Sequence, residues 1–295
     1  MDFTTKLRAL VGRVEAGLDR YVPTPDTRPA ILHAAMRYSL ESGGKRIRPV
    51  IVLATAEVFD PAARHDPLPA AVALECLHTY SLIHDDLPCM DDDDLRRGRP
   101  TVHKAFDEAT ALLAGDALLT HALGLLLSAY ASEPALAAAM GADMAEAAGS
   151  RRLIGGQVED LAAEGRTDVP AADLEFIHLN KTAALLELAF SMGARLGGAS
   201  EHHRAVAIGV GRDLGLAFQI VDDILDATAE SATLGKTAGK DAKAGKTTYV
   251  STFGVDGARR RARAHADAAR DALRSLPGDL AFLVALIEAL TDRKK

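Results

Sequence analysis

The chain is short of cysteine, of basic excess and of long unbroken apolar runs, and each shortage excludes a class of protein. Two cysteines in 295 residues, Cys76 and Cys89, can build neither a disulfide framework nor, unaided, a zinc site. A reducing cytoplasm is the compartment expected. The net charge of −7 offers no basic surface to a nucleic-acid backbone. The first 22 residues alternate apolar and charged positions at helical spacing and lack the apolar core of an export signal. No stretch is expected to reach the roughly 18 to 20 residues that cross a bilayer. Neither a low-complexity linker nor a shift in composition divides the halves, so residues 1–295 are expected to form a single domain.

Alanine and leucine dominate what is present, within a hydrophobic content of 48%. Nearly every long segment repeats apolar residues at three and four, the period of a helix with one buried face. The expected fold class is all-α. Clusters of Pro, Gly and polar residues break the pattern at 23–29, 60–69, 133–134, 165–170, 197–200, 230–246 and 277–279, leaving about ten helices.

Two aspartate-rich runs stand out, HDDLPCMDDDD at His84 to Asp94 and DDILD at Asp222 to Asp226. Carboxylates packed this densely repel one another unless a strong positive charge neutralises them. Divalent cations carrying a phosphate-bearing substrate are a common reason to keep such repulsion. The two runs read as one split metal site. Leu74, His78, Ser81 and Asp85 share a helical face, and Pro88 should let the chain bulge over Leu87 to Met90 before Asp91 returns toward Asp85 and Asp86. In the second run Asp222 and Asp226 lie one turn apart, Gln219 precedes Asp222 and Asp223, and the flanking apolar residues predict a buried helix. Magnesium suits this set, because it prefers oxygen ligands and takes a few carboxylates together with substrate phosphates and water. Asp92, Asp93 and Asp94 acquire no role.

Basic residues cluster where a phosphate could be caught. GGKRIRP carries Lys45, Arg46 and Arg48, and LRRGRP carries Arg96, Arg97 and Arg99. Lys181 falls in register with the apolar stripe Leu174, Ile177, Leu185 and Leu188, so it should point inward and require an anionic partner. Farther on, Lys236, Lys240, Lys243 and Lys246 lie in a glycine-interrupted stretch that suits a basic flap.

Taken in order, GGKRIRP, HTYSLIHDDLPCMDDDDLRRGRPT, GGQVEDL, NKTAALL, FQIVDDILD and LGKTAGKDAKAGKTTYV resemble the trans-polyprenyl diphosphate synthases over most of the chain. Within them the chain most resembles the bacterial farnesyl diphosphate synthases, also called geranyltranstransferases. The resemblance implies a single large bundle of ten or so helices around a central cavity, a homodimer, and no membrane span. It implies that about three Mg²⁺ ions, held by Asp85, Asp86, Asp91, Asp222, Asp223 and Asp226, bridge to an allylic diphosphate. It places Arg96, Lys181, Gln219, Lys236 and Lys246 on that diphosphate and Lys45, Arg48, His78 and Arg97 on isopentenyl diphosphate. Thr182 and Gln219 match groups that steady a carbocation. Gln157 and Asp160 belong to a matching motif with no assigned role.

The implied reaction is condensation of dimethylallyl or geranyl diphosphate with isopentenyl diphosphate, giving (2E,6E)-farnesyl diphosphate and pyrophosphate. Product length is expected to depend on Tyr80 and Ser81, five and four residues before Asp85, with a tyrosine there favouring C15 over C10 or C20. A terpene cyclase is a rival, but its second motif usually carries asparagine and serine, and the 4% aromatic content without tryptophan would line a cyclase cavity poorly. A metal-dependent phosphohydrolase leaves DDILD and the basic groups unexplained. A silent subunit of a heteromeric synthase would be expected to have lost aspartates.

Overall fold

A computed structural model describes residues 1–62, 64–166, 168–228 and 247–293. As expected, the chain is all-α. The helices are α1 Phe3–Tyr21, α2 Ala30–Leu40, α3 Ile47–Phe59, α4 Leu68–Asp85, α5 Val102–Ala105, α6 Glu108–Ala129, α7 Pro134–Ala148, α8 Leu153–Ala163 and α9 Ala171–Ile177. They continue as α10 Ala184–Leu196, α11 Glu201–Thr228, α12 Tyr249–Arg274 and α13 Ala281–Thr291, with a π-helical segment His178–Ala183 joining α9 to α10. Every predicted break inside the described residues falls at a junction between helices. Residues 230–246 lie outside them.

Two compact units divide the chain, Met1–Leu53 with Asp66–Ala142 and Ala54–His65 with Asp143–Lys295. In the first unit α4 packs along α6. Helix α4 is apolar nearly all round, and Leu74, Leu77 and Cys76 are fully buried on it. Helix α6 buries Ala111, Ala114, Gly115, Leu118, Ala122 and Leu126, a stripe at three and four that small residues keep narrow. This helix is the one among the described residues long and apolar enough to cross a membrane by length and composition. The expectation that no stretch reaches that length is corrected to this extent: Asp116 and His121 interrupt the segment, but the leucines and alanines around them keep it apolar on average.

The second unit is organised on α11, which contacts α10 and α12 along its length. Leu214, Ala217 and Ile220 are fully buried there. Gly211 and Gly215, one turn apart, let its backbone approach: a Cβ at 211 would lie 2.7 Å from the Leu186 carbonyl, and one at 215 would overlap Ala183. Thr248 opens α12 with a reciprocal capping box to Ser251. Gly254 then adopts φ 68°, which interrupts the helical dihedrals.

These glycines predict opposite signs for similar substitutions. Gly215→Val should destabilise by about 1–3 kcal/mol through overpacking, seen as a lower denaturant midpoint. Gly12→Ala on α1, where nothing lies within 4 Å of the added carbon, should stabilise by up to about 1 kcal/mol through helix propensity.

Candidate active site

The first unit gathers the leading aspartates at the end of one helix. Helix α4 stops at Asp85, and Pro88, which has no amide hydrogen, follows in a turn closed by Met90 N–H to the Leu87 carbonyl at 2.8 Å. Asp91 then donates its N–H to the Asp85 carbonyl at 2.9 Å and Asp93 donates to the Asp86 carbonyl at 3.3 Å. The bulge expected from the sequence is present. Asp86 is 3% exposed and is clasped by Arg96, whose Nε lies 2.8 Å from both carboxylate oxygens and whose Nη2 lies 2.6 Å from Oδ1. Burial pushes the Asp86 carboxyl above its ordinary range, Arg96 opposes the shift, and Asp93 and Asp91 add to it.

Beneath this turn His84 packs against α6 where Gly115 leaves room, since a Cβ there would overlap the imidazole. Its Nε2 is 3.0 Å from the Leu112 carbonyl. Tyr80 is buried and meets the His84 ring edge-on at 5.6 Å. Burial, with a contribution from Asp85, pushes the Tyr80 phenol up to about 12. Ser81 hydrogen-bonds back to the His78 carbonyl at 2.9 Å.

The two basic segments meet. Leu95–Arg96 and Arg99–Pro100 form a two-stranded antiparallel hairpin, turned through Arg97 at φ 54° and Gly98 at φ 76°. Two successive positive φ values mark a type I′ turn, whose twist suits a tight hairpin. The turn carries the Arg97 guanidinium onto the double-glycine loop, where it donates to the Gly43 carbonyl and lies so close over Gly44 that a Cβ would clash at 2.7 Å. Arg48 Nη1 is 3.3 Å from His78 Nε2. Burial, reinforced by Arg48, Arg97, Arg96 and Arg46, holds His78 well below its ordinary pKa, so the imidazole is neutral and accepts from Arg48. Lys45 is exposed on the same loop. Arg46 serves the architecture instead. With φ 48° and 3% exposure, it bonds Glu15 and Glu75, each at 2.7 Å. Sequence reasoning missed both the hairpin, signalled by Arg-Gly, and the distant partners of Arg46.

In the second unit the regular register assumed for Lys181 is corrected. Residues 178–183 form a π-helix, whose wider turn shifts everything beyond it relative to a 3.6-residue wheel. Leu174 and Leu188 are buried at 2% and 3% exposure, while Lys181 is half-buried. The anionic partner it required is Asp160, 2.5 Å from Nζ. Thr182 donates its hydroxyl proton to Gln219 Oε1 at 2.9 Å. Gln219 Nε2 donates to Asp223 Oδ1 at 3.2 Å, and Tyr249 N–H donates to Asp223 Oδ2 at 2.9 Å.

Of the second aspartate run only Asp223 is buried, while Asp222 and Asp226 are half-buried. The helix predicted to be buried all round therefore keeps one side partly open. Asp222 pairs with Arg293 at 3.0 Å, and the same guanidinium sits 4.3 Å above the Phe218 ring. Nothing in the sequence pattern had singled out Arg293. Gln157 Nε2 is buried with no hydrogen-bond partner among the described residues. Lys236, Lys240, Lys243 and Lys246 lie outside them.

Among the described residues no three His, Cys, Asp or Glu side chains form a ready-made metal group. The donors present are hard carboxylate oxygens, which fit Mg²⁺, an ion that takes one or two carboxylates and completes its shell with substrate phosphates and water.

The sequence pattern of the polyprenyl synthetase family matches residues 29–276. The chain belongs to the polyprenyl synthetase family. It is 43% identical over 303 residues to the farnesyl diphosphate synthase of Escherichia coli, covering 100% of both chains. It is 46% identical over 299 residues to the large subunit 1 of the heterodimeric geranylgeranyl pyrophosphate synthase of Arabidopsis thaliana, covering 99% of this chain and 80% of that protein. The crystal structure of an FPP/GFPP synthase from Zymomonas mobilis superposes with a TM-score of 0.85 at 37% identity, covering 98% of each chain. This polyprenyl synthetase is a prenyltransferase of the trans-prenyl synthase family, with the isoprenoid synthase fold.

Arg46 separates architecture from chemistry in this cluster. Arg46→Met should cost about 3–5 kcal/mol, because it strands a buried Glu75, and should change the KM of neither substrate selectively. Denaturant unfolding beside steady-state kinetics measures both.

Proposed function

We propose that this polyprenyl synthetase catalyses Mg²⁺-dependent head-to-tail prenyl transfer, joining isopentenyl diphosphate to dimethylallyl and then geranyl diphosphate to give (2E,6E)-farnesyl diphosphate and pyrophosphate. The observation that carries this reading is the end of α4, where a turn returns the backbone of Asp91 to Asp85, Arg96 clasps Asp86, and the hairpin that carries Arg96 brings Arg97 to the GGKRIRP loop. Acid and base at such proximity suit metal ions and diphosphates together.

Asp85, Asp86, Asp91, Asp222, Asp223 and Asp226 would hold about three Mg²⁺ ions. Held by these carboxylates, Mg²⁺ would supply positive charge opposite the diphosphate oxygens, where negative charge develops as the allylic carbon–oxygen bond breaks. Arg96, Lys181, Gln219, Lys236 and Lys246 bind the allylic diphosphate. Gln157, whose amide N–H has no partner among the described residues, is suited to an anion in the same role. Lys45, Arg48, His78 and Arg97 bind isopentenyl diphosphate, and the neutral His78 orients Arg48 by accepting its N–H.

Thr182 has a defined part. Asp223 fixes the Gln219 amide, Gln219 accepts the Thr182 proton, and the lone pairs of Thr182 Oγ remain available to the allylic cation. The alkene of isopentenyl diphosphate attacks that cation, and the departed diphosphate takes the proton lost from the new chain.

Tyr80 supports the C15 product, since its buried ring is wedged against His84 just before the aspartate turn. A C20 product is the second reading, favoured by the name and 46% identity of the Arabidopsis relative. A homodimer fits the exposed leucines of α6, Leu112, Leu113 and Leu127 at 47%, 56% and 45%. The two free cysteines fit a reducing cytoplasm. The family pattern, continuous over 29–276, supports a single synthase domain over 1–295.

Pyrophosphate release from dimethylallyl and isopentenyl diphosphates with Mg²⁺ tests the activity, and its absence across metals and pH would refute it. Asp85→Ala and Asp222→Ala should each lower kcat by about 10³-fold or more while leaving the circular dichroism spectrum unchanged. Near-normal turnover in either would remove that residue from the metal set. Chromatography of the products should give C15 from the native chain and longer chains from Tyr80→Ala. An unchanged C15 product in the variant would place the chain-length floor elsewhere.

A further inference from the structure

Gly156 and Asp160 of the GGQVEDL motif have no part in the reaction above. Gly156 and Asp160 are one turn apart on α8 and so share a face. That face lies directly on the π-helical segment, because a Cβ at 156 would overlap the Lys181 backbone nitrogen and meet Asn180 C at 2.9 Å. The absent side chain lets two backbones touch, which brings an aspartate, the shortest acid, within reach of the Lys181 ammonium.

We propose that Asp160 is a positioning residue that holds the Lys181 ammonium in place for the allylic diphosphate, with Gly156 setting the approach. The inference rests on the assignment of Lys181 to that diphosphate. Exposure favours it over a merely structural bridge: the Lys181 side chain is 23% accessible and the Asp160 side chain 5%. An arriving anion therefore meets the ammonium and not the carboxylate behind it. Lysine carries three N–H donors; one is directed to Asp160, and the other two, which have no partner among the described residues, can take phosphate oxygens. A flexible four-carbon stem loses much freedom when its head is fixed, and the Asp160 bond fixes it before substrate arrives. Thr182, the next residue, is tied to Gln219, so two adjacent functional side chains are preset on one π turn.

The test compares Lys181→Gln, Asp160→Asn, the double variant and, as an independent perturbation, Gly156→Ala, with folding monitored by circular dichroism. Each single variant should raise the KM for geranyl diphosphate about tenfold or more and weaken calorimetric binding of inorganic pyrophosphate with Mg²⁺, the loss expected for one charged hydrogen bond. The KM for isopentenyl diphosphate should stay within about twofold, and the double variant should be no worse than Lys181→Gln. An impaired Lys181→Gln beside a normal Asp160→Asn, or additive losses in the double variant, would overturn the positioning role alone. A Lys181→Gln enzyme with normal geranyl diphosphate kinetics would overturn the assignment of Lys181, and this inference with it.

Discussion

The arrangement depends on one electrostatic constraint: carboxylates crowded on helix ends and helix faces must be neutralised. Asp86 is held by Arg96, Asp222 by Arg293 and Asp160 by Lys181, while Asp223 takes an amide N–H from Gln219 and a backbone N–H from Tyr249. Burying Asp86, Asp160 or Asp223 without such a partner would cost several kcal/mol. The protein thus holds its acidic groups in place by directing guanidinium, ammonium and amide donors at them. Diphosphate and Mg²⁺ would inherit those donors and acceptors already oriented, which lowers the reorganisation left to the reaction.

Close backbone approach is the second theme. Gly115 admits His84, Gly156 admits the π-helix, and Gly211 and Gly215 admit α10 and Ala183. None of these glycines needs an unusual φ; each is a missing side chain that sets a distance. The helix end before the aspartate turn and the lysine each have one such notch beside them, and the helix that carries Gln219 has two.

Much of this was legible in the sequence. The helix breaks followed from proline and glycine, the return of Asp91 followed from Pro88, and the need of Lys181 for an anion followed from its apolar neighbours. What escaped has physical reasons. A wheel of constant pitch cannot register a π turn, so the seven-residue offsets of Lys181 from Leu174 and Leu188 are not those of a regular helix. A hairpin of two-residue strands is too short for any periodicity, leaving only the Arg-Gly pair to announce it. The partners of Arg46, Glu15 and Glu75, and the partner of Asp222, Arg293, are contacts between distant positions that composition and local spacing do not encode.

The Arg293 contact bears on how the protein is handled. One guanidinium joins the C-terminal stretch both to an acid of the DDILD run and to the neighbouring aromatic ring of Phe218. A fusion partner placed beyond Arg293 would therefore pull directly on α11 and on the DDILD run.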